Sequence, residues 1–417
     1  YSGTGTFQRG FSASSIFNQL YFSAPINNAA ITSFAPAKGA DGVAVTPKND
    51  CDETQLATSS NYGNVFEYNE NLVNNCYLEA WVVRSAGNAQ NGKGYSVVKS
   101  GSGKLELSGT PNMNASYTIN NLGNKGWALP TKQNLAPNAT IAGWHLLGNP
   151  FPANLNPINP NASEFGNIFK VLDAANGQYV DFSFSGADLL APFQGFFVYK
   201  ANNGGTANFD IHGGSNRTRS AIQFYKNNDP LKQLKIKVSG NGNTDECYLN
   251  IIPGATAEFD LEYDGYKWFS DASLPALFTS NNSDFFSTNT IGSIDENPIV
   301  PLHFKVPATE TYQLEISGIE NLNGVSKVIV EYQMQHRSYE FTQNGDFLFN
   351  AIKGDAANRF QIRFEAVVSG LQTPEQQLKL FVNSKVLHVD LGANNTNSTI
   401  DIFNTLGAKV AQFGTTA

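Results

Sequence analysis

The side chains that could do chemistry in this 417-residue chain are few and scattered. Five histidines, His145, His212, His303, His336 and His388, stand singly, so none has a second ligand nearby in sequence to build a zinc site. The patterns H-E-x-x-H, G-x-S-x-G, the P-loop and G-x-G-x-x-G do not occur, which leaves nucleophilic and metal catalysis without a visible framework. A glycosidase needs only two carboxylates across a cleft, and 35 Asp and Glu could in principle supply them. A hydrolase in the first part of the chain is therefore the weakest of three readings. Asp41, Asp50, Asp52 and Glu53 crowd one Asn/Pro-rich loop; carboxylates in a loop suit calcium, but EF-hand spacing is missing and a solvated acidic loop is expected. Cys51 and Cys76 have a spacing that a loop-closing disulfide could use, while Cys247 reads as a small buried hydrophobe. The expectation is no catalytic residue, no metal, no cofactor and no enzyme.

Binding chemistry remains. Trp127, Tyr179 and Trp268 are aromatics that could offer planar platforms to a sugar, given polar neighbours. A net charge of −8 without any Lys/Arg cluster removes the electrostatic footprint of a nucleic-acid binder. No window reaches the roughly 18 uninterrupted apolar residues of a membrane span, so the chain is expected not to be transmembrane itself.

The elements that must position these groups are strands. With 30 Phe, 16 Tyr and 37 Gly against 2 Met, the composition favours pleated surfaces and turns. Short alternating runs such as Tyr77–Val83 and Lys104–Leu107 recur between Gly, Asn and Pro turns, as in a β-sandwich. A turn-rich passage around His212–Arg219 precedes renewed alternation at Leu234–Val238. The expected organisation is all-β: a sandwich over 1–220, a second antiparallel sandwich of jelly-roll or Ig-like type over 221–368, a linker at 369–377 and a small partial domain at 378–417. Trp144 and Leu146 alternate into a core, Asn149-Pro150 fixes a turn, and Gly195 permits close backbone approach before a buried Phe196-Phe197-Val198 strand. Phe259–Lys267 reads as a loop packed by its own Tyr and Phe.

The last stretch carries the most specific signal. Val386-Leu387-His388-Val389-Asp390-Leu391 and Thr399-Ile400-Asp401-Ile402-Phe403 alternate about an Asn-rich loop, followed by Asn404, Leu406, Gly407, Lys409 and Val410. This order resembles the type A C-terminal sorting domain of proteins exported by the type IX secretion system of Bacteroidota. The residues that carry the resemblance are Val386, Val389, Leu391, Ile400, Ile402, Phe403, Asn404, Leu406, Gly407, Lys409 and Val410. The runs Gly143–Pro152 and Ala191–Lys200 resemble a module found before that domain in large surface proteins of the same bacteria, as does Phe259–Lys267. Family domains continue for further strands, so a partial sorting domain within a longer precursor is expected. The resemblance implies a non-enzymatic secreted or cell-surface protein of adhesin or gliding-associated type, reaching the outer membrane through the periplasm. Its partners would be an outer-membrane shuttle β-barrel and the translocon, with exposed strand edges as docking surfaces. The main rival is the accessory carbohydrate-binding tail of a larger polysaccharide-degrading enzyme, with a surface glycan as partner.

Overall fold

The computed structural model describes residues 3–13, 19–45, 63–72, 77–99, 101–126, 142–186, 188–218, 233–240, 242–269, 273–281, 284–295, 297–366, 379–383, 386–390, 399–404 and 407–414. They form two compact units, Tyr1–Ala366 and Val367–Ala417. The fold is all-β, and among the described residues the only helical elements are 3-10 turns of three or four residues between strands.

The first part of the large unit is layered around one central sheet, ordered Gln178–Ser183, Ile168–Asp173, Gly195–Tyr199, Trp144–Gly148. Gly195–Tyr199 and Trp144–Gly148 are buried at every position, because strand alternation sends side chains to two different cores. Phe197, Tyr199, Trp144 and Leu146 join Tyr21, Phe66, Tyr68 and Trp81 of a second four-stranded sheet. Phe196, Val198 and Leu147 point the other way and pack with Phe165, Phe169, Phe209 and Ile211. The second sheet runs Gln19–Phe22, Tyr95–Val98, Val65–Tyr68, Trp81–Val83. Its approach explains Gly195: a Cβ there would lie 2.8 Å from the Tyr21 Cβ and 3.0 Å from its backbone.

Asn149 builds the turn after Trp144–Gly148. Its Oδ1 accepts from Phe151 N at 3.0 Å, and its amide donates to the carbonyls of Ala153, Leu190 and Ala191. A buried amide in that position satisfies backbone groups that the two prolines beside it cannot.

The strands between residues 234 and 366 make one continuous sheet of eleven. Its main path runs Arg337–Phe341, Val325–Tyr332, Asn358–Ala366, Val300–Lys305, Ala276–Ser280, Phe285–Ile291, Asn243–Ile251, Leu234–Gly240, Glu310–Ser317 and Gly345–Ala351. The first and last strands of that path are joined by only residues 342–344, so the sheet must wrap until its ends meet. Tyr339 on one end stacks on Phe347 on the other, with centroids 3.7 Å apart and planes at 8°, which closes a sandwich around core residues such as Ile236, Leu249, Leu302, Val330 and Ile362. One ladder departs from the antiparallel expectation: Asn243–Ile251 and Phe285–Ile291 pair in parallel, made possible because the segment between them crosses to the first part of the unit before returning.

Among the described residues no sheet pairs a strand before 219 with one after 232. Packing nevertheless crosses that point, since Phe259, Leu261, Tyr266 and Trp268 pack against the core built by Trp144 and Phe197. In the small unit, Lys379–Asn383 pairs with Val386–Asp390 and Thr399–Phe403 with Lys409–Gly414, as two antiparallel hairpins. The expected linker 369–377 lies outside the described residues.

Candidate functional site

Two places gather functional groups, one in each unit. In the small unit the second hairpin is closed by Asn404. Its backbone N–H donates to the Ala408 carbonyl at 2.9 Å, its side-chain Oδ1 accepts from Ala408 N at 2.9 Å, and its carbonyl accepts from Gly407 N at 3.0 Å. Gly407 sits at φ +80°, a left-handed conformation that a side chain would strain. Beside the turn the register slips between Ile402 and Phe403, whose partners are Ala411 and Lys409, so that Val410 is passed over. Lys409 pairs with Asp401 at 2.7 Å, both partly exposed.

The result is a hairpin whose motif residues serve two purposes. Asn404 and Gly407 make the turn. Phe403, Val410 and Phe413 stand 58%, 60% and 58% exposed, an apolar density that a soluble hairpin does not need for its own pairing. Ile400 and Ile402 are half-buried. Val386 and Val389 lie on the first hairpin, opposite Asn383 and Leu380 in backbone register. Leu391 and Leu406 lie outside the described residues.

The second place is the junction inside the large unit. Lys170, cross-strand from Asp181, donates to Asp181 Oδ1 and to Ser287 Oγ at 2.8 Å. Thr288 Oγ1 donates to Asp181 Oδ2 at 2.7 Å. Nearby, Lys267 Nζ and the Leu277 N–H both donate to Asp245 Oδ2, at 2.5 and 2.6 Å. The side chains of both ion pairs are almost fully buried. Burial pushes the Lys170 amine down and the Asp245 carboxyl up from their ordinary values, each opposed by its ion-pair partner. Gln178 Nε2 adds a bond to the Pro275 carbonyl at 2.8 Å. These groups come from both sides of residue 220, and sequence reasoning missed them because Lys170 and Ser287 are 117 positions apart. The one local signal was a lysine set among Ile168, Phe169, Val171 and Leu172.

The aromatics weighed as sugar platforms meet at this junction. Trp268 stacks on Tyr179 at 5.0 Å and 16°, and touches Phe197 and Trp144 at 4.5 and 5.2 Å. Their faces are thus occupied by one another. Trp127 lies outside the described residues. Trp144 and Phe193 are both 2% exposed and belong to the core.

The remaining groups are placed as follows. Asp41 accepts from Ser85 N at 2.8 Å, Ala86 N at 3.2 Å and Arg84 Nε at 3.3 Å, and the Ser85 bond leads the forces that hold its carboxyl below the usual range. It pins a turn. Asp50, Asp52, Glu53, Cys51 and Cys76 lie outside the described residues. Cys247 is buried and free, with burial pushing its thiol up. Among the described residues no group of three or more His, Cys, Asp and Glu is placed to hold a metal ion, and no helix is long and apolar enough to cross a membrane.

Residues 157–364 are similar to a protein family described as a domain of unknown function (DUF8693). That span starts inside the first part of the large unit and takes in Lys170 and Asp181 together with nearly all of the wrapped sheet. No curated protein and no solved structure matches the chain.

Proposed function

We propose that this chain is a non-enzymatic secreted or cell-surface protein, of adhesin or gliding-associated type, carried out of the cell as cargo of a type IX secretion system. The observation that carries the reading is the terminal hairpin, where the motif residues Phe403, Asn404, Gly407, Lys409 and Val410 fall in one tight turn that leaves Phe403, Val410 and Phe413 exposed. A handle read by an outer-membrane shuttle barrel and translocon needs such a feature: a rigid turn displaying apolar side chains on a small, accessible strand pair. The large unit is then the passenger, whose buried polar and aromatic groups hold a fold together.

The test is a pull-down of the intact precursor from outer membranes, alongside a Gly407→Val variant that strains the turn. Recovery of a shuttle barrel or translocon component with the intact protein, and its loss with the variant, is the expected result. Equal recovery with both, or none with either, would remove the handle from the account.

A further inference from the structure

The Lys170–Asp181 pair has features that an ordinary buried salt bridge does not require. The lysine and the carboxyl face each other from adjacent strands, in contact, with side chains 1% and 4% exposed. Each carboxyl oxygen has a different partner: Oδ1 takes the amine, and Oδ2 takes the Thr288 hydroxyl at 2.7 Å. Ser287 Oγ accepts from the same amine at 2.8 Å while lying 3.2 Å from the carbonyls of Gly265 and Tyr266, so the Nζ atom is aimed at the carboxyl from a fixed direction. The Trp144 ring lies 5.7 Å from Nζ and helps wall the pair off from water.

We propose that Lys170 and Asp181 are a site of covalent self-modification, in which the two side chains condense to an amide that cross-links the strands Ile168–Asp173 and Gln178–Ser183. Within the contact, the ammonium passes a proton to the carboxylate, giving a neutral amine and a neutral acid. Exclusion of water favours this exchange on the side of the amine, because burial pushes the Lys170 ammonium towards its neutral form. The Nζ lone pair attacks Cγ, and the Thr288 hydroxyl at Oδ2 stabilises the oxyanion that forms there, as a positioned donor does in acyl transfer. The C–Oδ1 bond then breaks. Oδ1 departs as water with the proton it already carries and one from nitrogen. The sum is one ammonium and one carboxylate giving one amide and one water, with no oxidant or outside co-reactant. Holding the groups in contact supplies the entropic part of the barrier.

The neighbouring pair differs at the point that matters. Asp245 takes the Lys267 amine and the Leu277 N–H on the same oxygen, and its carboxyl also meets the Glu246 backbone N–H. Among the described residues no hydroxyl donates to its other oxygen as Thr288 does to Asp181, and that pair is expected to stay ionic. The proposal therefore predicts one lost water in the chain.

The experiment is mass spectrometry of the purified full chain. The intact mass of the wild type is expected to fall short of its sequence mass by one water, and that of Thr288→Val to show the deficit in a smaller fraction of molecules. Trypsin on the denatured protein distinguishes the amide from cyclisation of an aspartate, which also loses water. With the amide, cleavage after Lys170 fails and a peptide spanning 133–200 survives. A full-length mass equal to the sequence mass, or a one-water deficit with normal cleavage after Lys170, would overturn the proposal. The readout is made on the wild type, so it does not depend on whether a Lys170 variant folds.

Discussion

Two cross-strand regions among the described residues hold a lysine against an aspartate, and they differ in almost everything else. Lys170–Asp181 is sealed in the junction of the large unit, while Lys409–Asp401 lies on the terminal hairpin with side chains 42% and 37% exposed. The same ionic contact is worth different amounts in these settings. In water it gains little beyond what solvation already provides. In the interior each charge has lost its hydration, so the pair is costly to bury and more costly to break. The comparison separates the part of the chain that must hold its shape from the part that must be read by something else.

The largest effect expected is from breaking the buried pair. Asp181→Ala leaves the Lys170 amine in a dry interior without the carboxylate it pairs with and, in the proposed amide, is joined to, and should cost at least about 3–5 kcal/mol, measured by denaturant unfolding. A loss below about 1 kcal/mol would mean that the junction is wetter than its burial indicates.

Two buried groups sharpen the contrast through pH. Burial pushes the His145 imidazole down to about 4, even though its ring nitrogen bonds the Gly123 carbonyl at 2.8 Å. Above its ordinary value of 6.5 His145 is neutral in both states and its contribution is fully present. As pH falls towards 4 only the unfolded chain gains the proton, and stability is lost. Asp264 runs the opposite way, its carboxyl raised by burial from 3.8 to about 7. Below the ordinary value both states are protonated; as pH rises towards 7 the unfolded chain ionises first, and stability is lost in that direction. The two slopes, each limited to about 1.4 kcal/mol per pH unit, oppose one another between pH 4 and 6.5. His145→Gln should therefore gain stability relative to wild type on acidification, and Asp264→Asn should lose it. Parallel curves for all three proteins would contradict both assignments.

Packing gives the next prediction. Gly195→Ala places a methyl 2.8 Å from the Tyr21 Cβ and should destabilise by about 1–3 kcal/mol, visible as a lower melting temperature. The smallest effect is on the hairpin, where Lys409→Ala should change stability by less than about 1 kcal/mol.

The all-β architecture was legible because period-2 alternation and turn residues are local properties. So were the roles of Trp144, Leu146 and Gly195, since a strand of large apolar residues beside a glycine leaves few arrangements. The wrapped sheet was not legible. Its closure depends on Tyr339 meeting Phe347, and its one parallel ladder depends on where the segment 252–284 travels. The buried charge network was also hidden, because it joins Lys170 and Asp181 to Ser287 and Thr288 and no spacing in the chain announces it. The terminal turn was readable from Asn404 and Gly407, whose conformational preferences suit such a turn; the exposure of Phe403 and Val410 required the structure.

The most direct test of the account is to delete residues 378–417 in a host with a working type IX system and locate the product by fractionation. The account predicts accumulation in the periplasm, with the intact chain found outside the cell or on its surface. Delivery of the truncated protein to the surface at the normal level would contradict it.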